Sequence, residues 1–261
     1  MNSDVFFTIG RLHDVCQDYA SVVSESRVVL SDGCSSSKLT DIGARLLCRA
    51  VVRLKGVAPS LAPVICKKNL EEFDLPVECL DATLLTLDVR EDLVRALVTG
   101  DGLVVGRKRA GGYTALLSEF PSGAPRYASY DLVPERRALY LQEFGTFWKV
   151  SLFEGSCPLG EETILLEDSP LVPYSFSFPL AEYDLVLLLS DGALSFRRPL
   201  GVNGATEAVP VQEVIEEMLQ VKGFAGQFIT RRARKFLKGA ASKGWTHDDD
   251  FSVAAIYLGE L

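Results

Sequence analysis

Strands arrive in runs along this chain, with few helices between them, and that ordering constrains the fold more than any other feature. β-branched and aromatic residues recur with strand-like patterning over Val5–Ile9, Ala20–Val23, Arg27–Leu30, Thr83–Asp88, Leu93–Val98 and Leu103–Arg107. They do so again over Tyr113–Leu117, Thr146–Phe153, Thr163–Leu166, Asp184–Leu189 and Phe251–Leu258. A parallel sheet needs a crossover, usually a helix, after nearly every strand. Here helical spacing predicts only a few helices. One spans Leu39–Leu54, where Ile42, Leu46, Leu47, Ala50 and Val51 form a stripe and Thr40 or Asp41 is placed to cap the start. Two more follow Val211, the first ended by Gly223 and the second covering Ala225–Leu237, and a short one is possible near Lys68–Phe73. The stretch Ser118–Gln142, rich in Pro, Gly, Ser and Tyr, reads as a long loop or lid. The expectation is an α+β fold: a central antiparallel β-sandwich flanked by helices, four layers in the order αββα. No linker is visible, so residues 1–261 are read as a single domain.

Acids outnumber bases by 35 to 27, giving a net charge of −8, which argues against nucleic-acid binding. One local exception is Arg231, Arg232, Arg234, Lys235 and Lys238. It reads as the solvated face of a helix with Phe236 and Leu237 turned inward, or else as a docking patch for an acidic partner. No apolar run approaches the roughly 20 residues of a membrane helix. The start of the chain lacks the basic region of a signal peptide, so a cytoplasmic protein with reduced thiols is expected. The six cysteines form no C-x-x-C pair and there are two histidines, which leaves carboxylates and hydroxyls to carry chemistry.

One local pattern occurs twice. Val28-Val29-Leu30-Ser31-Asp32-Gly33 and Leu187-Leu188-Leu189-Ser190-Asp191-Gly192 each place a carboxylate at the end of a buried strand, followed by a glycine that permits close backbone approach. Two further acidic sites precede strands: Gln17-Asp18 and His247-Asp248-Asp249-Asp250. Each alone also suits an ordinary turn. Together they can converge on one edge of a sandwich, where oxygen ligands without His or Cys suit Mg²⁺ or Mn²⁺.

The order of these elements resembles the metal-dependent protein phosphatases of type 2C. Cys16-Gln17-Asp18 is similar to that family's first acidic motif, and the segment through Asp32-Gly33 to its second. Asp81-Ala82-Thr83-Leu84 stands where the family has Gly-Thr-Thr, and Gly100-Asp101-Gly102 where it has Gly-Asp-Ser. Ser190-Asp191-Gly192 and Asp249-Asp250-Phe251-Ser252-Val253 resemble the two closing motifs. The resemblance implies a two-metal centre of Mn²⁺ or Mg²⁺ held by Asp18, Asp32, Asp191 and Asp249, with the Gly33 carbonyl as a further ligand. Asp101, with Asp191, would take a weaker third ion. It implies a serine/threonine protein phosphatase in which a metal-bridged hydroxide attacks the phosphomonoester, acting on a phosphoprotein and paired with a serine/threonine kinase. The alternative is a phosphatase-like module that binds a phosphoprotein or regulatory partner without turnover. Three departures bear on that choice. Cys34-Ser35-Ser36 replaces the usual Met/His-Gly-Gly. His13 occupies the place of a phosphate-binding Arg, with Arg11 the nearest substitute. No Thr-x-Asp-His follows Arg107, which implies an altered lid.

Overall fold

Burial on both faces marks the strand Arg27–Ser31 as an inner element, since every one of its residues is buried. In chain order the first strands are β1 (Asn2–Thr8), β2 (Tyr19–Ser24) and β3 (Arg27–Ser31), followed by helices α1 (Thr40–Arg53) and α2 (Ala62–Glu72). Two hairpins come next, one in each large sheet: β4 (Leu84–Arg90) with β5 (Leu93–Thr99), then β6 (Gly102–Lys108) with β7 (Tyr113–Glu119). Helix α3 (Pro134–Phe144) leads to β8 (Phe147–Glu154), β9 (Cys157–Leu165), β10 (Tyr174–Pro179) and β11 (Tyr183–Leu189). The chain closes with β12 (Phe196–Pro199), β13 (Thr206–Ala208), α4 (Val211–Leu219), α5 (Phe228–Ser242), β14 (Thr246–His247) and β15 (Phe251–Tyr257). These elements come from a computed structural model that describes residues 1–54, 58–145, 147–167, 172–201 and 204–259.

Two large antiparallel sheets result. One has seven strands in the order β1-β15-β11-β6-β7-β8-β9 and the other five in the order β10-β5-β4-β3-β2. Period-two side-chain alternation divides their apolar residues between layers. Val28, Leu30, Leu85, Leu87, Val186, Leu188 and Ile256 fill the space between the sheets. Val29 and Leu84 face the other way, onto Leu47, Val51 and Leu70 of α1 and α2. Leu187, Leu189 and Val253 pack against Ile215, Met218, Ile229 and Phe236 of α4 and α5. This is the expected αββα arrangement. Among the described residues no helix is long and apolar enough to cross a membrane.

The structure departs from the sequence expectations in several places. Part of the expected loop Ser118–Gln142 is helix α3, whose Pro134 sits at the first turn where its missing N–H costs nothing. Only Tyr140 of that helix is buried, which is why it lacks an apolar stripe. Strand β10 carries alternating Tyr174, Phe176 and Phe178, a period-two signal not used in the reading. Strands β12, β13 and β14 form a separate three-stranded sheet, too short for any pattern to show. Neither Thr40 nor Asp41 caps α1; Leu39 is its cap residue, at φ 59°, with no side-chain hydrogen bond. Position 146, the first of one expected strand, lies outside the described residues.

Helix α1 seats tightly on the turn before β4. A Cβ on Gly43 would stand 1.5 Å from the carbonyl oxygen of Cys79. Gly43→Ala must therefore push α1 off that turn, and a loss of about 2 kcal/mol is expected in a urea melt, within the usual range for overpacking. An unchanged midpoint would show that α1 is not seated as described.

Candidate metal centre

The register of the two sheets carries the acidic residues to one edge. In the smaller sheet Tyr19 pairs with Ser31, so Asp18 and Asp32 flank neighbouring strand ends. In the larger sheet Leu189 pairs with Val253 on one side and Leu103 on the other, which aligns Asp191 with Asp101 and with the Asp248–Asp250 turn. The sheets meet at this edge: Ser190 Oγ donates to Asp18 Oδ2 at 2.8 Å and accepts from the Ser252 N–H at 3.0 Å. Close backbone packing holds the edge together. A Cβ on Gly192 would lie 1.7 Å from the Asp250 carbonyl oxygen, and one on Gly10 2.2 Å from the Asp249 carbonyl carbon.

Asp32, Gly33, Asp101, Asp191 and Asp249 line a cleft of about 410 Å³. Asp18 is fully buried at the same edge. The second oxygen of Asp18 and Oδ1 of Asp191 are buried with no protein hydrogen-bond partner. No Lys or Arg stands among the described residues lining the cleft. Burial, and then the Asp191 charge, push the Asp18 carboxyl up to about 7, against the opposing hydrogen bond from Ser190. Burial and the charges of Asp18 and Asp191 hold Asp32 well above the usual carboxylate range. Burial followed by Asp191 does the same to Asp101 and, more weakly, raises Asp249.

Among the described residues no group of three His, Cys, Asp or Glu side chains forms a ready-made metal cage. The donor set nonetheless fits a hydrated divalent cation. It offers hard carboxylate oxygens, two of them buried and unpartnered, facing mutual repulsion that a cation would relieve. Mg²⁺ in particular keeps several waters and needs few protein ligands.

This electrostatic strain has a defined pH signature. A carboxyl whose folded-state pKa lies above its unfolded value holds its proton longer in the native state, so stability falls as pH rises between the two. For Asp18 that window runs from the ordinary carboxylate range to about 7. Metal-free protein is therefore expected to melt at a lower temperature at neutral pH than near pH 5. A melting temperature that climbs steadily with pH across this window would contradict the cluster.

The three consecutive acids divide their work. Asp250 is buried, and its carboxylate accepts from the N–H groups of Gly10 at 2.7 Å and Gln17 at 2.5 Å, with His13 Nδ1 3.1 Å away. It is a latch that fastens the segment before β2 to the start of β15. Asp249 is left to line the cleft. Burial alone would lower the His13 pKa, but its hydrogen bond to Asp250 and the charges of Asp250 and Asp249 raise it. Arg11, the nearest substitute for the absent Arg, pairs with Asp248 at 2.8 Å and is not among the residues lining the cleft.

Asp81 has a role the sequence reading missed. Its carboxylate accepts from Ser129 Oγ at 2.7 Å, Ser37 Oγ at 2.8 Å and Arg136 at 2.7 Å. It thereby ties the segment carrying Tyr127 and Tyr130, which roofs the cleft, to the loop after Gly33. The Cys34 N–H donates to the Asp81 carbonyl at 2.8 Å, and the Asp32 N–H to Thr83 Oγ1 at 2.9 Å, so residues 81–83 brace the Asp32 turn from behind. A carboxylate directly ahead of an apolar strand was the available signal.

Comparison with known proteins agrees with the fold. The family model described as protein phosphatase 2C matches residues 11–126. No curated protein sequence matches. Among solved structures, a bacterial serine phosphatase aligns with TM-score 0.56 and 13% identity, over 100% of this chain and 99% of its own. The serine/threonine phosphatase of S. agalactiae gives 0.57 and 11%, over 99% of both chains. The catalytic domain of PstP, solved in complex with 2 manganese ions, gives 0.53 and 13%, over 99% of this chain and 98% of its own. Residues 11–126 thus match the protein phosphatase 2C family model, and the chain along its whole length shares the fold of these bacterial serine/threonine phosphatases.

Proposed function

We propose that this single domain is a cytoplasmic, metal-dependent protein phosphatase that hydrolyses phosphoserine or phosphothreonine in a protein partner, opposite a serine/threonine kinase. The observation that carries the reading is the pair of buried, unpartnered oxygens on Asp18 and Asp191, at an edge shared with Asp32, Asp101 and Asp249. Asp18, Asp32, Asp191 and Asp249, with the Gly33 carbonyl, would hold two Mn²⁺ or Mg²⁺ ions, and Asp101 a weaker third. PstP, which shares the fold, is described with 2 manganese ions. Bound there, the cations supply water activation and neutralise the phosphoryl charge.

The chain's own residues then have limited work. The acids set the ion positions, Ser190 and Ser252 orient Asp18, and Asp81 holds the roof over the cleft. Cys34 lines the cleft, yet no Cys-x5-Arg phosphate loop surrounds it, since position 40 is Thr40. Its thiol is not asked to attack phosphorus. Cys34→Ser should keep most of the wild-type rate, and loss of activity with the fold and metal content intact would move the mechanism to a cysteine nucleophile.

The absence of Lys and Arg from the described cleft lining favours the second reading, a module that binds without turnover, because nothing but metal would neutralise a bound phosphate. Hydrolysis of a phosphothreonine peptide by purified protein separates the two. Phosphate release that requires Mn²⁺ or Mg²⁺ and stops with chelator supports the enzyme. No release over hours with metal bound supports the module.

A further inference from the structure

The basic cluster on α5 lies outside the acidic cleft and shares no lining residue with it. Arg231, Arg234, Lys235 and Lys238 fall at i, i+3, i+4 and i+7 and form one exposed stripe. Arg231 donates to the carbonyls of Gly223 and Ala225. Among the described residues no carboxylate stands within ion-pair distance of Arg234, Lys235 or Lys238. Like charges three and four apart on a helix repel, so Arg234, Lys235 and Lys238 disfavour one another.

Arg232 turns the other way. It is only 7% exposed and pairs with Glu217, while its Nε is buried without a partner. It sits where two depressions of about 350 and 300 Å³ adjoin, both lined by Gln220, Arg232 and Lys235. One is also lined by Lys222 and the other by Lys243 and by Glu217, the partner of Arg232, so bases outnumber acids in both. All this belongs to a chain of net charge −8, where a cationic groove stands out against its own surface.

We propose that the groove between the end of α4 and α5 recognises an acidic segment, rich in Glu and Asp, of a protein partner. From position 231 to 243 the helical rise gives about 18 Å. That is the reach of about five or six residues in extended form. A nucleic acid fits less well, because a longer polyanion would run from this short stripe onto a negative surface.

The proposal is independent of the phosphatase reading, and its test needs no metal. A fluorescein-labelled peptide with a hexaglutamate core is titrated with the full chain at low ionic strength and followed by anisotropy. A glutamine-core peptide and a single-stranded oligonucleotide serve as comparisons. The glutamate peptide should bind about tenfold or more tightly than the glutamine one, and added salt should weaken it. Lys222→Gln combined with Lys235→Gln and Lys243→Gln, the exposed lysines that line the groove, should remove that preference while the melting temperature holds. Amide shifts on binding should cluster on α5 and residues 220–223, a readout that stands even if the triple variant does not fold. Equal binding of the two peptides, tighter binding of the oligonucleotide, or shifts confined to another face would overturn the proposal.

Discussion

Asp191→Asn is expected to lower Mn²⁺-dependent hydrolysis of a phosphothreonine peptide by about 10²–10³-fold, the cost of removing a group that stabilises charge in a transition state. The fold should survive. Asp191 follows β11, where Leu189 and Gly192 do the packing, and its Oδ1 has no partner inside the protein. Its charge also raises the carboxyls of Asp18, Asp32, Asp101 and Asp249. Removing it relieves repulsion, so the metal-free variant should melt no lower than wild type and can melt higher. That opposition, rate down and metal-free stability level or up, is what a purely structural Asp would not give. A variant that retains most of the wild-type rate would remove Asp191 from the proposed centre.

Mn²⁺ itself should stabilise the wild-type chain. A ligand that binds only the native state adds about 2.7 kcal/mol at 100 times its Kd. In a domain of this size that is a rise of about 5–10 °C in melting temperature. The gain should be larger at neutral pH than near pH 5, because cations displace the protons that Asp18 and its neighbours hold there. It should also shrink sharply in Asp191→Asn. A wild-type melt indifferent to Mn²⁺ and Mg²⁺ would count against any native-state site.

The sandwich was legible because its strands carry their own evidence. Val28 to Leu30 and Leu185 to Leu189 are apolar on both faces, and only an inner strand between two layers satisfies that. The strand-end acids were legible for a related reason: a carboxylate after a buried run is costly unless something answers it, and Asp32 and Asp191 share one spelling. Less visible were features decided by tertiary partners. Helix α3 buries only Tyr140, so its periodicity is faint. The short strands β12 to β14 exist because they pair with one another. The division of labour between Asp249 and Asp250 depends on Gly10 and Gln17, more than 200 residues away in sequence. Asp81 likewise gains its role from Ser129 and Arg136, which no local pattern connects to it.

The central claim is that Asp18, Asp32, Asp191 and Asp249 hold two cations at this edge, and anomalous diffraction from crystals grown with Mn²⁺ addresses it directly. Two anomalous peaks are expected in the cleft, about 3.5–4 Å apart, each in contact with carboxylates of this set. An empty cleft at saturating Mn²⁺, or peaks only at other acids on the surface, would contradict it.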